Sequence, residues 1–216
     1  MAELGLRERK KQRVREQILE VCGRLFRTRG FDETTIDDIA GEVEISRQTF
    51  FNYFPSKETV LAELGFAWLL DQGRRARDGA STPAPAQIPV VLRRVLGEQL
   101  AAIERDRDFM RLVFTRSGIF FPHGPHVGSG SDQPRLDRTR SFFTGLAALL
   151  RAAQQAGALR RDVAPEQMAE MLVSVFVITT RLWLTEYWGE TGSLVERGLR
   201  AYDVLEAGLR VREETA

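Results

Sequence analysis

Residues suited to start helices recur close together near the beginning of this chain of 216 residues. Thr35, Ser46 and Ser56 each carry the short side-chain oxygen that caps helix N-termini. Pro55 must end the helix that begins after Ser46, because proline lacks the N–H group and clashes with the preceding turn. We therefore predict two short helices between residues 35 and 55 and a further helix that begins after Ser56.

Apolar residues at helical intervals support these helices and predict one before them, which ends near Arg29 because Gly30 favours a left-handed helix end. The apolar stripes of the first three helices are Ile18, Leu19, Cys22, Leu25 and Phe26, then Ile36, Ile39, Ala40 and Val43, then Phe50 and Phe54. Two short helices, joined by a tight turn at Glu44 and Ile45 and braced by a longer one, form a helix-turn-helix. This unit places a helix in the major groove of DNA.

The segments Thr35-Ile36-Asp37-Asp38-Ile39-Ala40 and Ile45-Ser46-Arg47-Gln48-Thr49-Phe50-Phe51-Asn52-Tyr53-Phe54-Pro55-Ser56-Lys57-Glu58 resemble the signature of the TetR family over about residues 12–62. The resemblance implies an all-α fold of about nine helices, a homodimer formed through the last two, and a variable pocket for a small effector. We expect a three-helix DNA-binding domain at 1–58 and a helical ligand-binding and dimerisation bundle at 59–216.

Two positions depart from the commonest family pattern. Phe51 stands where a tyrosine is usual, which removes a possible hydrogen bond to phosphate. Glu44 stands where a glycine is usual, so we expect a non-glycine residue at positive φ, at a cost of about 1 kcal/mol.

The third helix is predicted to turn a polar face to DNA, opposite Phe50 and Phe54. Arginine suits guanine, glutamine and asparagine suit adenine, and an aromatic edge can touch a thymine methyl group. The family uses the positions of Thr49, Tyr53 and Lys57 for phosphate contacts, and Thr35 is expected to act likewise. The predicted DNA-binding set is Thr35, Ser46, Arg47, Gln48, Thr49, Phe51, Asn52, Tyr53 and Lys57. The alternative is that Phe51 and Tyr53 are core aromatics and that Lys57 is solvated.

Positive charge is concentrated at the N-terminus, although the formal net charge of the chain is only +1. Glu8 is the single acid among six cations, which are Arg7, Arg9, Lys10, Lys11, Arg13 and Arg15. Such a cluster can hold phosphates and release their counterions. We interpret it as an arm or first helical turn near the DNA backbone or minor groove; the alternative is a solvated tail.

The rest of the chain alternates apolar helical runs with two loops rich in Gly, Ser, Ala and Pro. The predicted helices are Val60–Leu70, Val91–Ile103, Phe109–Thr115, Leu136–Ala156, Glu166–Trp188 and Leu194–Leu209, with loops at Gly79–Pro89 and Gly118–Pro134. Gly198 and Gly208 are predicted to allow close approach. Two such C-terminal helices favour a four-helix interface across a two-fold axis.

The run Met171–Leu184 is apolar nearly all round, so it must be covered on more than one side. One side can pack on a partner, while the other can line a large, mostly apolar cavity for an uncharged or lipophilic ligand, such as an aromatic or drug-like compound. The predicted ligand-binding residues are Trp68, Met110, Phe114, Phe143, Phe176, Thr180 and Trp183. The alternative is that these aromatics simply fill the core.

The resemblance to the TetR family, together with the long aromatic-rich second domain, implies a repressor of neighbouring genes. Its ligand would swing the helix that begins at Ser56, so that the two recognition helices of the dimer no longer match a palindromic operator. Two alternatives stay open, namely a regulator that activates its genes and a structural DNA-binding protein without an effector.

Other function classes lack their motifs. A nucleophile elbow, a zinc spacing and a buried carboxylate pair are missing, and the glycines of 124–130 lack the Lys-Ser/Thr of a phosphate loop, so we predict neither an enzyme nor a cofactor. His123 and His126 lack a third firm ligand, so no metal is expected.

The compartment is also predicted from the sequence. Cys22 lies on an apolar stripe and is interpreted as a packed core thiol, with a redox sensor as the alternative. The N-terminus is polar, and the longest apolar run, Met171–Val177, is too short to span a bilayer. We therefore expect a cytoplasmic protein without a membrane segment.

Overall fold

A computed structural model of the chain describes residues 5–75, 83–117, 133–189 and 192–210. Those residues form helices, with a single 3-10 turn at Pro85–Gln87 and no strand. The helices are α1 (Leu6–Thr28), α2 (Ile36–Val43), α3 (Arg47–Tyr53), α4 (Lys57–Arg75), α5 (Ile88–Arg105), α6 (Arg107–Arg116), α7 (Gln133–Gln155), α8 (Pro165–Leu184) and α9 (Leu194–Leu209). The prediction of an all-α fold with about nine helices is confirmed.

Several helix ends differ from the predicted ones. Pro89 and Pro134 lie in the first turns of α5 and α7, not in loops, because proline is tolerated where the N–H groups have no partner within the helix. Of the two predicted loops, residues 79–82 and 118–132 lie outside the described residues, as do His123 and His126. α8 ends at Leu184 instead of Trp188, since Glu186 takes a left-handed φ of 51° that a helix cannot hold.

The chain divides into two compact units. The first comprises 1–67 with 112–122, and the second comprises 68–111 with 123–216. The division falls inside α4, whereas the predicted domain boundary after residue 58 lies at its start. That functional boundary stays a prediction.

The second unit has its own apolar core, built largely from α7 and α8. Its buried members are Ile88, Ala147, Leu150, Ala153, Leu159, Met168, Ala169 and Leu209. α5 and α9 approach closely at Gly198, where a Cβ would stand 2.4 Å from Cδ1 of Leu100, so the close approach predicted for Gly198 is confirmed. A Cβ at Gly208 would meet nothing within 4 Å among the described residues, so the close approach predicted for Gly208 is not found there.

Among the described helices, α8 is long and apolar enough, by length and composition, to cross a membrane. The same apolarity is explained by the core of the second unit, because Met168, Ala169, Val177 and Leu184 are buried there. A third of the apolar window of α8, 33%, is buried inside the chain. The rest of the helix leaves apolar side chains exposed, which bears on the assembly proposed below.

Candidate nucleic-acid interface

The long helix α1 anchors the first unit through one buried stripe. Ile18, Cys22, Leu25 and Phe26 are all at most 3% exposed. Burial raises the pKa of the Cys22 thiol to about 12, although the nearby charge of Lys57 lowers it. The packed thiol predicted for Cys22 is therefore confirmed, and the high pKa keeps it protonated at neutral pH.

The start of α2 is held by a reciprocal capping box. The Thr35 hydroxyl accepts the Asp38 N–H at 3.1 Å, and the Thr35 N–H donates to the Asp38 carboxylate at 2.9 Å. The Asp38 carboxylate also accepts the Thr35 hydroxyl and pairs with Arg29 at 2.8 Å. The bonds from Thr35 and the pairing with Arg29 together lower the pKa of Asp38 to about 2. The predicted cap is confirmed, and it fixes the N-terminus of α2 at the connection from α1.

The turn between α2 and α3 uses the residue that departs from the family pattern. Glu44 has a φ of 57°, as predicted, and the N–H of Ile45 donates to the Ala40 carbonyl at 2.9 Å. Ser46 then caps α3, because its hydroxyl accepts the Thr49 N–H at 3.0 Å. The turn thus closes without glycine and sets the direction of α3.

The inner and outer faces of α3 are as predicted. Phe50 and Phe54 are 0% and 1% exposed, which seats the helix on the core of the first unit. Arg47, Gln48, Phe51 and Asn52 are exposed on the other side. Phe51, at 39% exposure, is therefore not a core aromatic. Thr49 and Tyr53 are half-buried between the two faces.

Arg47 has a local partner that the sequence reasoning missed. Its Nη1 lies 3.0 Å from Oδ2 of Asp37, and its Cζ stands 5.7 Å from the centroid of the Phe51 ring. Both members of the ion pair are well exposed, so the pair is weak in water. No local spacing reveals this pair, because Asp37 lies in the first turn of α2 and Arg47 in the first turn of α3.

Lys57, at the start of α4, is tied to the connection between α1 and α2. Its Nζ donates to the carbonyls of Phe31 at 2.7 Å and Thr34 at 2.6 Å, and it lies 4.7 Å from the centroid of the Phe31 ring. Two of the three ammonium donors are thus used inside the protein. The predicted phosphate contact of Lys57 stays a prediction, while its structural bonds were missed because no local pattern reveals them.

The comparisons agree with this geometry. Residues 18–64 match the family described as bacterial regulatory proteins, tetR family. The HTH-type transcriptional regulator TcmR of Streptomyces glaucescens is 28% identical over 188 residues, which cover 83% of this chain and 76% of that protein. The chain belongs to the TetR family.

Two further TetR-family proteins are similar over most of their length. The HTH-type transcriptional repressor DhaR of Mycobacterium sp. (strain GP1) is 26% identical, with 74% of this chain and 77% of that protein covered. The crystal structure of Thermus thermophilus FadR, a TetR-family repressor in complex with lauroyl-CoA, superposes with a TM-score of 0.70 at 27% identity and covers 94% of this chain and 98% of that one. Since the matching TetR-family proteins are transcriptional regulators, this chain is a DNA-binding transcriptional regulator and not an enzyme.

In this TetR-family chain, the seven residues predicted to bind a ligand have different surroundings. Phe114 is buried in the first unit, whereas the other six belong to the second. Phe143 packs beside the core of α7 and α8, Met110 is fully buried, and Trp68 is half-buried. The Trp183 indole N–H donates to the Gly192 carbonyl at 2.7 Å, which holds the chain that follows α8.

The second unit of the TetR-family chain contains a cavity of about 10 Å³, lined by residues of α5, α8 and α9. Leu100, Phe176 and Tyr202 are among its lining residues, so Phe176 is a predicted ligand-binding residue that faces space. Thr180 is 0% exposed, and its hydroxyl is the buried side-chain oxygen without a hydrogen-bond partner among the described residues. Such an orphan hydroxyl in an apolar region costs free energy unless something bonds to it.

Proposed function

We propose that this regulator is a homodimeric repressor, which reads a two-fold symmetric operator through α3 and leaves it when a small, largely apolar ligand binds. The observation that carries DNA recognition is the exposed face of α3. Phe50 and Phe54 pack α3 against the core of the first unit. On the opposite side, Arg47, Gln48, Phe51 and Asn52 face solvent, where they can contact the edges of bases. These side chains can distinguish guanine, adenine and thymine in a major groove.

The phosphate contacts would come from residues around α3. Thr49 and Tyr53 are half-buried at its sides, and Thr35 and Ser46 lie at the N-termini of α2 and α3, where backbone N–H groups attract anions. The hydroxyls of Thr35 and Ser46 already accept backbone N–H groups. They would therefore bind a phosphate together with the helix N-termini and not by themselves. Lys57 has one ammonium donor left for a phosphate.

Selection from a random DNA pool at a stated salt concentration tests the proposal. We expect enrichment of a site with two-fold symmetry. Arg47→Ala should relax the preference at one base position per half-site and weaken specific binding by about 1–3 kcal/mol. An Arg47→Ala protein with unchanged selectivity would contradict the role of α3.

Dimerisation is supported by apolar side chains that α8 and α9 leave exposed. Met171 and Ile178 lie two turns apart on α8 and are 39% and 45% exposed, and Val204 on α9 is 73% exposed. Burying such a face against a second copy would remove it from water. Sedimentation of the wild type beside Ile178→Glu tests this, because a dimer formed through α8 should shift toward monomer in the variant.

The ligand site is proposed near Phe176 and the orphan hydroxyl of Thr180, although the cavity at Phe176, at about 10 Å³, is only the size of one water molecule and not the large cavity predicted from the sequence. The named FadR relative was crystallised with lauroyl-CoA, and DhaR is named a repressor, which favours release over activation. The ligand would enlarge the cavity and redirect α4, which runs unbroken from Lys57 to Arg75. The protein would act in the cytoplasm, where its operator lies.

Thermal shift measurements with long-chain acyl compounds and uncharged aromatic compounds test the ligand. A compound that raises the melting temperature should also release the operator. Thr180→Val, which keeps the shape but removes the hydroxyl, should reduce the shift for ligands with a polar group. Stabilisation without release from DNA would favour an activator or a co-repressor mechanism instead.

A further inference from the structure

The first turns of α1 carry positive charge. Since α1 begins at Leu6, the basic segment forms the first turns of this helix and not an extended arm. Every residue from Gly5 to Arg13 is exposed, and Val14 is the first to be half-buried. The N-terminal turns of α1 therefore extend beyond the core of the first unit, into solvent.

The charges of this extension do not lie evenly around the helix. Ile18, Cys22 and Leu25 define the stripe of α1 that faces the core. The same helical spacing, counted back from Ile18, passes through Lys11 and Arg7, because residues three or four apart share a face. Arg9 and Arg13 fall on the other side of the helix. Arg7 and Lys11 thus continue, as cations, the stripe that is apolar inside the unit.

The contacts of Arg15 show where this stripe lies relative to α3. Its guanidinium carbon stands 4.9 Å from the centroid of the Phe54 ring, and its Nη2 pairs with the Glu63 carboxylate of α4. Phe54 is the residue at which the recognition helix α3 ends. Lys11 and Arg7 lie about 6 Å and about 12 Å further along the axis on that same side, at a rise of about 1.5 Å per residue. The stripe therefore runs past the C-terminal end of α3.

Arg7 and Lys11 also differ from the other cations near α3 in their partners. Arg47 pairs with Asp37, Arg29 pairs with Asp38, and Lys57 is bound by two carbonyls. Within the part of the chain that the structure describes, the side chains of Arg7 and Lys11 make no ion pair or hydrogen bond. Their charge is thus exposed, unneutralised and held in a fixed direction.

We propose that Arg7 and Lys11 bind the phosphate backbone of the operator beside the bases that α3 reads. The partner is double-stranded DNA, because a duplex presents one negative charge for about every 1.7 Å of its axis, the complement of a row of fixed cations. This inference rests on the proposed function, since it needs a duplex seated on α3. It makes α1 a second contact to the same DNA, one that sets position and affinity but carries no sequence information.

The matched variants are R7Q/K11Q and R9Q/R13Q, which each remove two positive charges from the same exposed turns. Binding to the selected operator is measured against salt concentration for both variants and for the wild type. R7Q/K11Q should make the negative slope of log K against log salt shallower by about 1.8, that is, about 0.9 per phosphate contact, and should weaken binding to specific and non-specific DNA alike. R9Q/R13Q should keep a slope close to that of the wild type.

Equal slopes for the two double variants, or a wild-type slope for R7Q/K11Q, would overturn the inference. Arg47→Ala separates this outcome from a failure of the proposed function. If the wild type selects an operator and loses it on Arg47→Ala while R7Q/K11Q binds normally, only the role of α1 is refuted. If the wild type selects no sequence at all, both proposals fail.

Discussion

The helices of the helix-turn-helix begin differently from α5 and α8 of the second unit, whereas α9 begins at a side-chain cap, Ser193, as α2 and α3 do. α2 and α3 each start at a side-chain cap, Thr35 and Ser46, whose hydroxyl accepts a backbone N–H three residues on. α5 and α8 start with a proline near their first position and no side-chain cap. Their position depends on packing, such as the contact between Gly198 and Leu100.

This difference explains which helix ends could be predicted. The starts of α2, α3 and α4 match the sequence signals, whereas α5 begins at Ile88, before the predicted Val91. α1 agrees with this within the first unit, because it begins at Leu6 without a side-chain cap and only its end, near Arg29, was predicted. Local chemistry, where it exists, marks helix ends better than apolar periodicity does.

The largest effect on stability is expected for Lys57→Met. This variant tests whether the helix-turn-helix region, whose helix starts follow from local caps, also depends on a contact between distant residues. The variant keeps the aliphatic length but removes both hydrogen bonds to the connection between α1 and α2. We expect the free energy of unfolding to fall by about 2 kcal/mol, since hydrogen bonds from a charged group are among the strong ones. Denaturant titration measures it. Glu58→Gln, in the same turn, serves as control. If Lys57→Met leaves the stability unchanged, the two hydrogen bonds do not stabilise the fold, and only the proposed phosphate contact of Lys57 is left.

The packing of the second unit is tested by Gly198→Ala. Its Cβ would stand 2.4 Å from Leu100 Cδ1, so the buried Leu100 side chain must change rotamer or α5 and α9 must move apart, and we expect a loss of about 1–2 kcal/mol after the helix-propensity gain of alanine. Gly208→Ala on the same helix adds a Cβ that meets nothing within 4 Å in the described part of the chain, so it should not destabilise the protomer. Thermal unfolding of both variants decides, and equal behaviour would show that packing at Gly198 does not position α9.

The local cap is tested by Thr35→Ala, which should cost about 1 kcal/mol at neutral pH. The pKa of Asp38 is about 2 in the folded protein and about 3.9 in an unfolded chain, so its bonds stabilise the fold above about pH 4. That contribution is lost as the pH falls from about 4 through about 2. Thr35→Ala should therefore reduce the pH dependence of stability in this window. Thr28→Ala, whose hydroxyl bonds only the Arg24 carbonyl, should leave that dependence intact.

The smallest effect is expected for Glu44→Gly, and it is a gain. Glu44 holds a left-handed φ of 57°, which glycine adopts without a Cβ clash, so stability should rise by about 0.5–1 kcal/mol. Glu44→Ala removes the charge but keeps the Cβ. If both variants stabilise equally, the cost at this position is electrostatic and not conformational.

The candidate site was predicted to different depths. The outward face of α3 follows from spacing alone, because a helix with Phe50 and Phe54 inside must turn Arg47, Gln48, Phe51 and Asn52 outward. The ion pair between Arg47 and Asp37 and the bonds of Lys57 did not follow, because each joins residues brought together by a turn or by a different helix. The ligand pocket stays the least determined, since aromatic residues at helical spacing serve a core and a cavity equally well.

By itself, the sequence determined the family, the all-helical class, the starts of α2 to α4 and the face of α3. Caps, prolines and helical periodicity act within a few residues, so their pattern can be read along the chain. Only the tertiary structure decided that Lys57 is bound to the carbonyls of Phe31 and Thr34, and that Arg15 directs the basic stripe of α1 past Phe54. Such contacts depend on which distant side chains meet when their helices pack, and no local spacing encodes that meeting.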